Sequence, residues 1–354
     1  MINITELDAA VRKYCDENKI FTAVRVTVGG KIAYEGRIGY ADLETKREFD
    51  ENSMFTFYSL SKPFTAIGFL KLYDRGLVDL DEHPGKYLAE AAKLDPRVTL
   101  RQMLCHTSGL QDFESNSAYF EDSDDADGKL PTHYTRRILH DMKRLHELPL
   151  HFDPGTGGWY ANVNIMTPAL IIERLTGRDF ADYMRDEVFA PMGMTTTQID
   201  EPGKDIPGRV TGYELDENGD MIPVTPCYGW MKGAGDLIGT VDDVYCLNRA
   251  IKNRTILRPE TWDIALTPDP HSSMGMGCTV TEWHGKHRIT HNGGHKGFRT
   301  FHVQLPDDDF DVIILSNSGY GDARNAITEI VHDFFYGADG NIGVIPEWDK
   351  GYAK

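Results

Sequence analysis

Stretches that read as strands lie at the two ends of this chain. Near the start, Val24, Val26 and Val28 alternate with Arg25 and Thr27; Gly29-Gly30 turns and Lys31-Ile32-Ala33-Tyr34 returns, which predicts a β-hairpin. Near the end, Ile289-Thr290-His291, residues 300–305 and residues 312–315 read as strands. Between about 64 and 260 the spacing is helical, over 64–75, 98–105, 134–146, 164–175 and 178–188, with Gly and Pro as breaks. An amphipathic helix over 4–18 opens the chain, a loop over 39–52 follows the hairpin, and a helix over 323–336 closes it. A chain with strands at both ends and helices between is best satisfied by one antiparallel sheet that both termini complete, with a helical insertion. That is the α+β class, and 354 residues suffice for two subdomains.

A formal net charge of −18 argues against nucleic acid or an anionic membrane as partner, because both need a basic surface. The five cysteines are scattered, odd in number and lack a C-x-x-C pair, so neither a disulfide framework nor a zinc site is expected. The first residues are acidic and no apolar run approaches a membrane span, which predicts a cytoplasmic protein. Asp122-Ser123-Asp124-Asp125-Ala126-Asp127-Gly128 has the look of a calcium loop, but Tyr134 stands where the bidentate glutamate belongs, so a solvated acidic loop is expected. His284, His287, His291 and His295 are spaced by three and four, yet Gly293-Gly294 disfavours the helix that would bring them together as metal ligands. No metal and no cofactor is expected.

Chemistry concentrates at Tyr58-Ser59-Leu60-Ser61-Lys62-Pro63. Positions three apart share a helix face, so Ser59 and Lys62 can touch, whereas Ser61 lies about 100° round from Lys62 and is the weaker nucleophile. Pro63 is tolerated only near a helix start, which places Ser59 at the N-terminus, where backbone N–H groups stabilise an oxyanion. A desolvated lysine in contact with that serine can take its proton. Downstream, Tyr160 and Asn162 lie two apart after a Pro/Gly turn, and residues so spaced point to one side of an extended segment. Tyr160 could relay a proton to the leaving group, and Asn162 could hold a substrate amide or position Lys62; the plainer alternatives are a core tyrosine and a helix-capping asparagine. His291-Asn292-Gly293-Gly294 follows a short strand, and its glycines permit close approach, so an N–H near Gly294 could join that of Ser59 in an oxyanion hole.

These three pieces, in this order, resemble the serine β-lactamase/penicillin-binding protein superfamily, in particular its class C-like branch of esterases, D-aminopeptidases and DD-peptidases. Ser59 to Lys62 is similar to its S-x-x-K motif, Tyr160 to Asn162 to its Y-x-N, and His291 to Gly293 to its K-T-G or H-x-G. The phrases Leu104-Cys105-His106-Thr107-Ser108-Gly109-Leu110, Pro191-Met192-Gly193-Met194, Gly233-Ala234-Gly235-Asp236-Leu237 and Gly297-Phe298-Arg299 extend the resemblance over residues 20 to 335. It implies a discontinuous sandwich domain from residues 1–75 and 265–354, a mainly helical domain over 76–264, and a site in the crevice between. It implies a serine hydrolase acylated at Ser59, with Lys62 and Tyr160 sharing the proton work, acting on small esters, D-amino-acid amides, short peptides or β-lactams. A non-catalytic or slowly acylating penicillin-binding or sensor relative is the alternative. Where β-lactamases carry a lysine this chain has His291, largely neutral at pH 7, so carboxylate recognition would pass to Arg299 or Lys296. Tyr228, in a stretch where relatives place substrate-facing residues, is a further binding candidate, and His106 is read as a structural hydrogen-bonding residue. The oligomeric state is not legible.

Overall fold

The computed structural model describes residues 3–112, 138–139, 142–201, 203–225, 231–321 and 323–337. The acidic loop expected over 122–128, the start of the 134–146 helix and Tyr228 lie outside them.

The first helix, α1 (Ile4–Glu17), is capped by Asn3, whose side chain accepts from the Thr5 and Glu6 amides, and it buries Leu7, Val11 and Cys15. The hairpin follows as β1 (Thr22–Val28) and β2 (Lys31–Ile38). Four strands near the other end, β3 (Thr279–Trp283), β4 (Lys286–His295), β5 (Phe298–Leu305) and β6 (Phe310–Ser316), complete the sheet. Its order is β3-β4-β5-β6-β1-β2, antiparallel throughout, with Thr22 opposite Ser316 and Val28 opposite Phe310. The two chain ends therefore meet at the middle of the sheet, as the sequence pattern predicts.

Every residue of β6 is buried because both faces of the sheet are covered. On one face Val24, Val26, Val312 and Ile314 pack with α1 and with the closing helix α6 (Ala323–Tyr336), through Ile327, Val331 and Phe335. On the other, Ala23, Ile313, Leu315, Ile289 and Phe298 join the larger core around α2 (Lys62–Asp74) and α4 (Val163–Thr176). Helix α2 is buried nearly all round, so it runs through the centre of the molecule rather than lying on it. The middle of the chain adds α3 (Leu100–Leu104) and α5 (Val241–Asn253), both opened by a capping box.

The middle also carries a hairpin (Gly212–Leu215 with Met221–Val224) and a small three-stranded sheet built by Phe55–Thr56, Leu237–Gly239 and Gln198–Ile199. These strands of two to four residues are too short for periodicity to announce. The loop expected over 39–52 contains one more two-stranded ladder, Tyr40–Asp42 against Arg47–Glu48. Among the described residues no helix is long and apolar enough to cross a membrane.

Candidate active site

A 3₁₀ turn over Tyr58–Ser61 leads directly into α2, with Pro63 in the first turn of that helix. Ser59 thus sits at the N-terminal edge of a central helical rod. Lys62, one turn on, is fully buried, and its Nζ lies 2.9 Å from Ser59 Oγ, 2.8 Å from Asn162 Oδ1 and 2.7 Å from the Ala234 carbonyl oxygen. An amide oxygen and a carbonyl oxygen can only accept, so two N–H bonds are drawn away from Ser59. Another position of the nitrogen is thereby aimed at the hydroxyl.

The Ala234 carbonyl is itself fixed. Thr65 Oγ1 donates to the Gly233 carbonyl at 2.6 Å, the Gly233 amide donates to Asp236 at 2.9 Å, and the Leu237 amide donates to Ser61 Oγ at 3.1 Å. Ser61 is fully buried, and its Oγ accepts that bond. Burial pushes the Asp236 carboxyl up to about 7, against the pull of Lys232 and the Gly233 amide.

Tyr160 and Asn162 come from the turn before α4. Asn162 occupies the N-cap position but makes no side-chain capping bond; its amide oxygen goes to Lys62 instead. The capping duty falls to Asp112, which accepts from the Asn162 amide at 2.9 Å and the Val163 amide at 3.4 Å. Tyr160 is 45% exposed, so it is no core residue, and Lys62 Nζ lies 4.8 Å from its ring centroid. The His106 ring stacks on it at 4.4 Å and 18°. His106 Nδ1 accepts from the Ala161 amide at 3.2 Å. Burial, with the Lys62 charge second, holds His106 down at about 3, so it stays a neutral ring under Tyr160.

The opposite wall is β4. A side chain at Gly293 would overlap the Phe57 carbonyl oxygen and the Thr300 hydroxyl, so glycine lets the strand lie directly against the turn that carries Ser59. The contact is bolted twice: Thr300 Oγ1 donates to the Phe57 carbonyl at 2.8 Å, and Tyr58 Oη donates to the Lys296 carbonyl at 3.1 Å. Tyr58 holds a left-handed φ of 48°, which is strained for an aromatic residue, and its buried ring meets His295 and Phe298 edge-on or tilted. His291 is buried on this strand, with Nδ1 2.7 Å from the Asn292 carbonyl oxygen. A carbonyl only accepts, so Nδ1 carries the proton and the bare nitrogen is Nε2. Burial first and Lys62 next push its pKa well below the usual histidine range, so the ring is neutral. Arg299 Nη1 donates to the His295 and Phe298 carbonyls, both at 2.8 Å, at the hairpin between β4 and β5. From α6, Arg324 Nη1 donates to the Gly293 carbonyl at 3.0 Å.

The sequence matches the Beta-lactamase family over residues 7–333. The chain belongs to the beta-lactamase family. Among curated relatives it is 27% identical to penicillin-binding protein 4* of Bacillus subtilis over 82% of its own length and 66% of the relative's. It is 25% identical to the D-aminopeptidase of Gluconobacter oxydans over 83% of its length and 55% of the relative's. The chain therefore spans between about half and two thirds of these relatives. Among solved structures, an octameric penicillin-binding protein homologue from Pyrococcus abyssi superposes with a TM-score of 0.80 at 20% identity, over 93% of this chain and 77% of that one. D-amino acid amidase from Ochrobactrum anthropi superposes with a TM-score of 0.74 at 23% identity, over 92% and 96%. Both share the fold, and the β-lactamase/transpeptidase-like α+β architecture follows.

The family's motif positions in this chain converge. Ser59, Lys62, Tyr160 and Asn162 form one cluster, and His291, Gly293 and Gly294 line the strand beside it. Arg299 lies farther along, tied to backbone at the hairpin. Sequence reasoning passed over Asp112 and Arg324, whose bonds go to backbone atoms that no motif names. It also passed over Tyr58, whose positive φ no residue type announces. His106 carries the hydrogen-bonding role expected of it, and adds the stack beneath Tyr160.

Proposed function

We propose that this protein is a serine hydrolase that forms an acyl-enzyme at Ser59 and acts on D-amino-acid amides, short peptides and small esters. The observation that carries this reading is the buried Lys62 Nζ at 2.9 Å from Ser59 Oγ, with Asn162 and Ala234 fixing its direction. Lys62 takes the hydroxyl proton as Oγ bonds to the substrate carbonyl carbon. The carbonyl oxygen becomes an oxyanion that accepts from the Ser59 and Gly294 amides. The tetrahedral species collapses, the bond to the leaving group breaks, and the proton held by Lys62 passes by way of Tyr160 to the departing amine or alkoxide, so both side chains end as they began. Water then attacks the ester on Ser59 and releases the acid. These steps ask for no metal or organic cofactor.

The neutral His291 supports amide and ester substrates over those with a carboxylate beside the scissile bond, since no fixed cation stands at that position. Relatives named D-aminopeptidase point the same way. The test is to give the protein and Ser59→Ala a p-nitrophenyl ester, a D-alanine p-nitroanilide and a chromogenic cephalosporin, with intact mass read at early times. Turnover by the parent alone, fastest on the first two, is the expected result. Equal turnover in both proteins would overturn Ser59 as nucleophile. A lasting mass increase without turnover would replace the hydrolase with a slowly acylating penicillin-binding relative.

A further inference from the structure

Resting on that reading, we infer that Arg324 is a positioning residue that strengthens the oxyanion hole through a peptide bond. Its guanidinium donates to the Gly293 carbonyl at 3.0 Å. That carbonyl belongs to the same peptide unit as the Gly294 N–H, the strand-wall donor in the proposed reaction. A cation hydrogen-bonded to the oxygen of an amide draws electron density toward that oxygen, which lowers the density on nitrogen and makes its N–H a stronger donor. The unit is held still on both sides. Gly293 is wedged against the Phe57 carbonyl and the Thr300 hydroxyl, and Arg324 occupies the first turn of α6, whose Ala323, Ile327 and Val331 are buried. Arg324 is half-buried, so its field is less screened than that of a surface cation.

Such a residue serves the transition state and not the bound substrate, and it does so for every substrate with a carbonyl. Arg324→Met is expected to lower kcat about 10-fold, a fraction of the roughly 10²–10³-fold that loss of a whole oxyanion donor costs. KM stays unchanged, and the loss is equal for the p-nitrophenyl ester, the D-alanine p-nitroanilide and the cephalosporin. Inhibition by phenylboronic acid, whose tetrahedral adduct on Ser59 places an oxygen in the hole, weakens by the same factor. The Gly294 amide proton, seen with glycine-labelled protein, moves upfield. Arg324→Lys, a cation that can still reach the carbonyl, recovers part of each change.

An unchanged boronate affinity, or a loss confined to the carboxylate-bearing cephalosporin, would overturn the inference; the second result would make Arg324 a reader of substrate carboxylate. If Arg324→Met fails to fold, Arg324→Gln carries the same comparison. Absence of Ser59-dependent turnover in the parent defeats the proposed function alone, because the Gly294 shift is read without substrate.

Discussion

Two walls flank Ser59, and opposite means hold them. The helical wall places a charge: Lys62 is fully buried and its nitrogen is gripped by an amide oxygen and a backbone carbonyl. The strand wall places backbone: Gly293 comes close to the Ser59 turn because it has no side chain, and the histidine two residues before it is kept uncharged. In the proposed reaction the first arrangement generates reactivity, since a buried cation or amine beside a hydroxyl changes where a proton sits. In that same proposal the second receives the charge that reactivity produces. One side demands particular side-chain chemistry, and the other demands that atoms be missing. A single substitution can therefore injure each wall in a different observable.

The largest effect should come from the helical wall. Lys62→Met is expected to lower the single-turnover acylation rate by about 10³-fold or more, a loss in keeping with a missing general base. Unimpaired acylation, followed by mass, would show that another group takes the proton.

Next is the strand wall. Gly293→Ala inserts a methyl into the Phe57 carbonyl and should shift β4 away from Ser59, costing roughly 10²-fold in kcat, as displacements near 1 Å do. The parallel expectation is a lower Tm, and a fully active, equally stable variant would mean the strand has slack there.

A milder break removes one bolt between the walls. Tyr58→Phe loses the bond to the Lys296 carbonyl while keeping the ring contacts with His295 and Phe298. Its kcat should fall about 3- to 10-fold for ester and amide alike, in line with one neutral hydrogen bond of about 1 kcal/mol.

His291→Lys sharpens the contrast instead. A cation on the strand wall should raise the cephalosporin-to-ester ratio of kcat/KM, and a ratio that falls or stays level would remove position 291 from carboxylate selection.

The smallest effect concerns stability. Burial holds His106 at about 3, and His302 and His332 each at about 4, so the unfolded chain binds protons that these rings do not as pH falls below about 6.5. Their contribution makes stability rise with pH from about 4 to 6.5. Asp311 at about 6 and Asp236 at about 7 act in the opposite sense, because the folded protein retains protons that the unfolded chain has lost. Asp311→Asn should therefore steepen the rise of Tm between pH 4 and 6; a shallower rise would reverse the sign given to Asp311.

Much of this architecture was legible in residue spacing. Alternation over residues 24–28 and the strand-like stretches at 300–305 and 312–315 pointed to the sheet, and the closing helix over 323–336 fell on the observed α6. The Ser59–Lys62 contact follows from helix geometry alone, because the interaction is local. Asn162 was left between two roles, since nothing in the neighbouring sequence says that Asp112, fifty residues earlier, would take over the helix cap and release its side chain. Arg324 was invisible for a similar reason: its partner is a carbonyl, which every residue possesses. The short strands at Phe55–Thr56, Gln198–Ile199 and Leu237–Gly239 carry no period, and only tertiary pairing defines them.

The pairing of β1 with β6 has a consequence in time. Thr22 Oγ1 bonds to the Leu315 carbonyl across 293 residues of chain. At a synthesis rate of about 5–20 residues per second, roughly 15–60 s pass between the emergence of the two strands from the ribosome. Through that interval the N-terminal hairpin is a two-stranded ribbon with only α1 on one face, its β1 edge unpaired and Ala23 on the other face uncovered. The nascent chain must keep this edge from other chains until Phe310–Ser316 arrives to claim it.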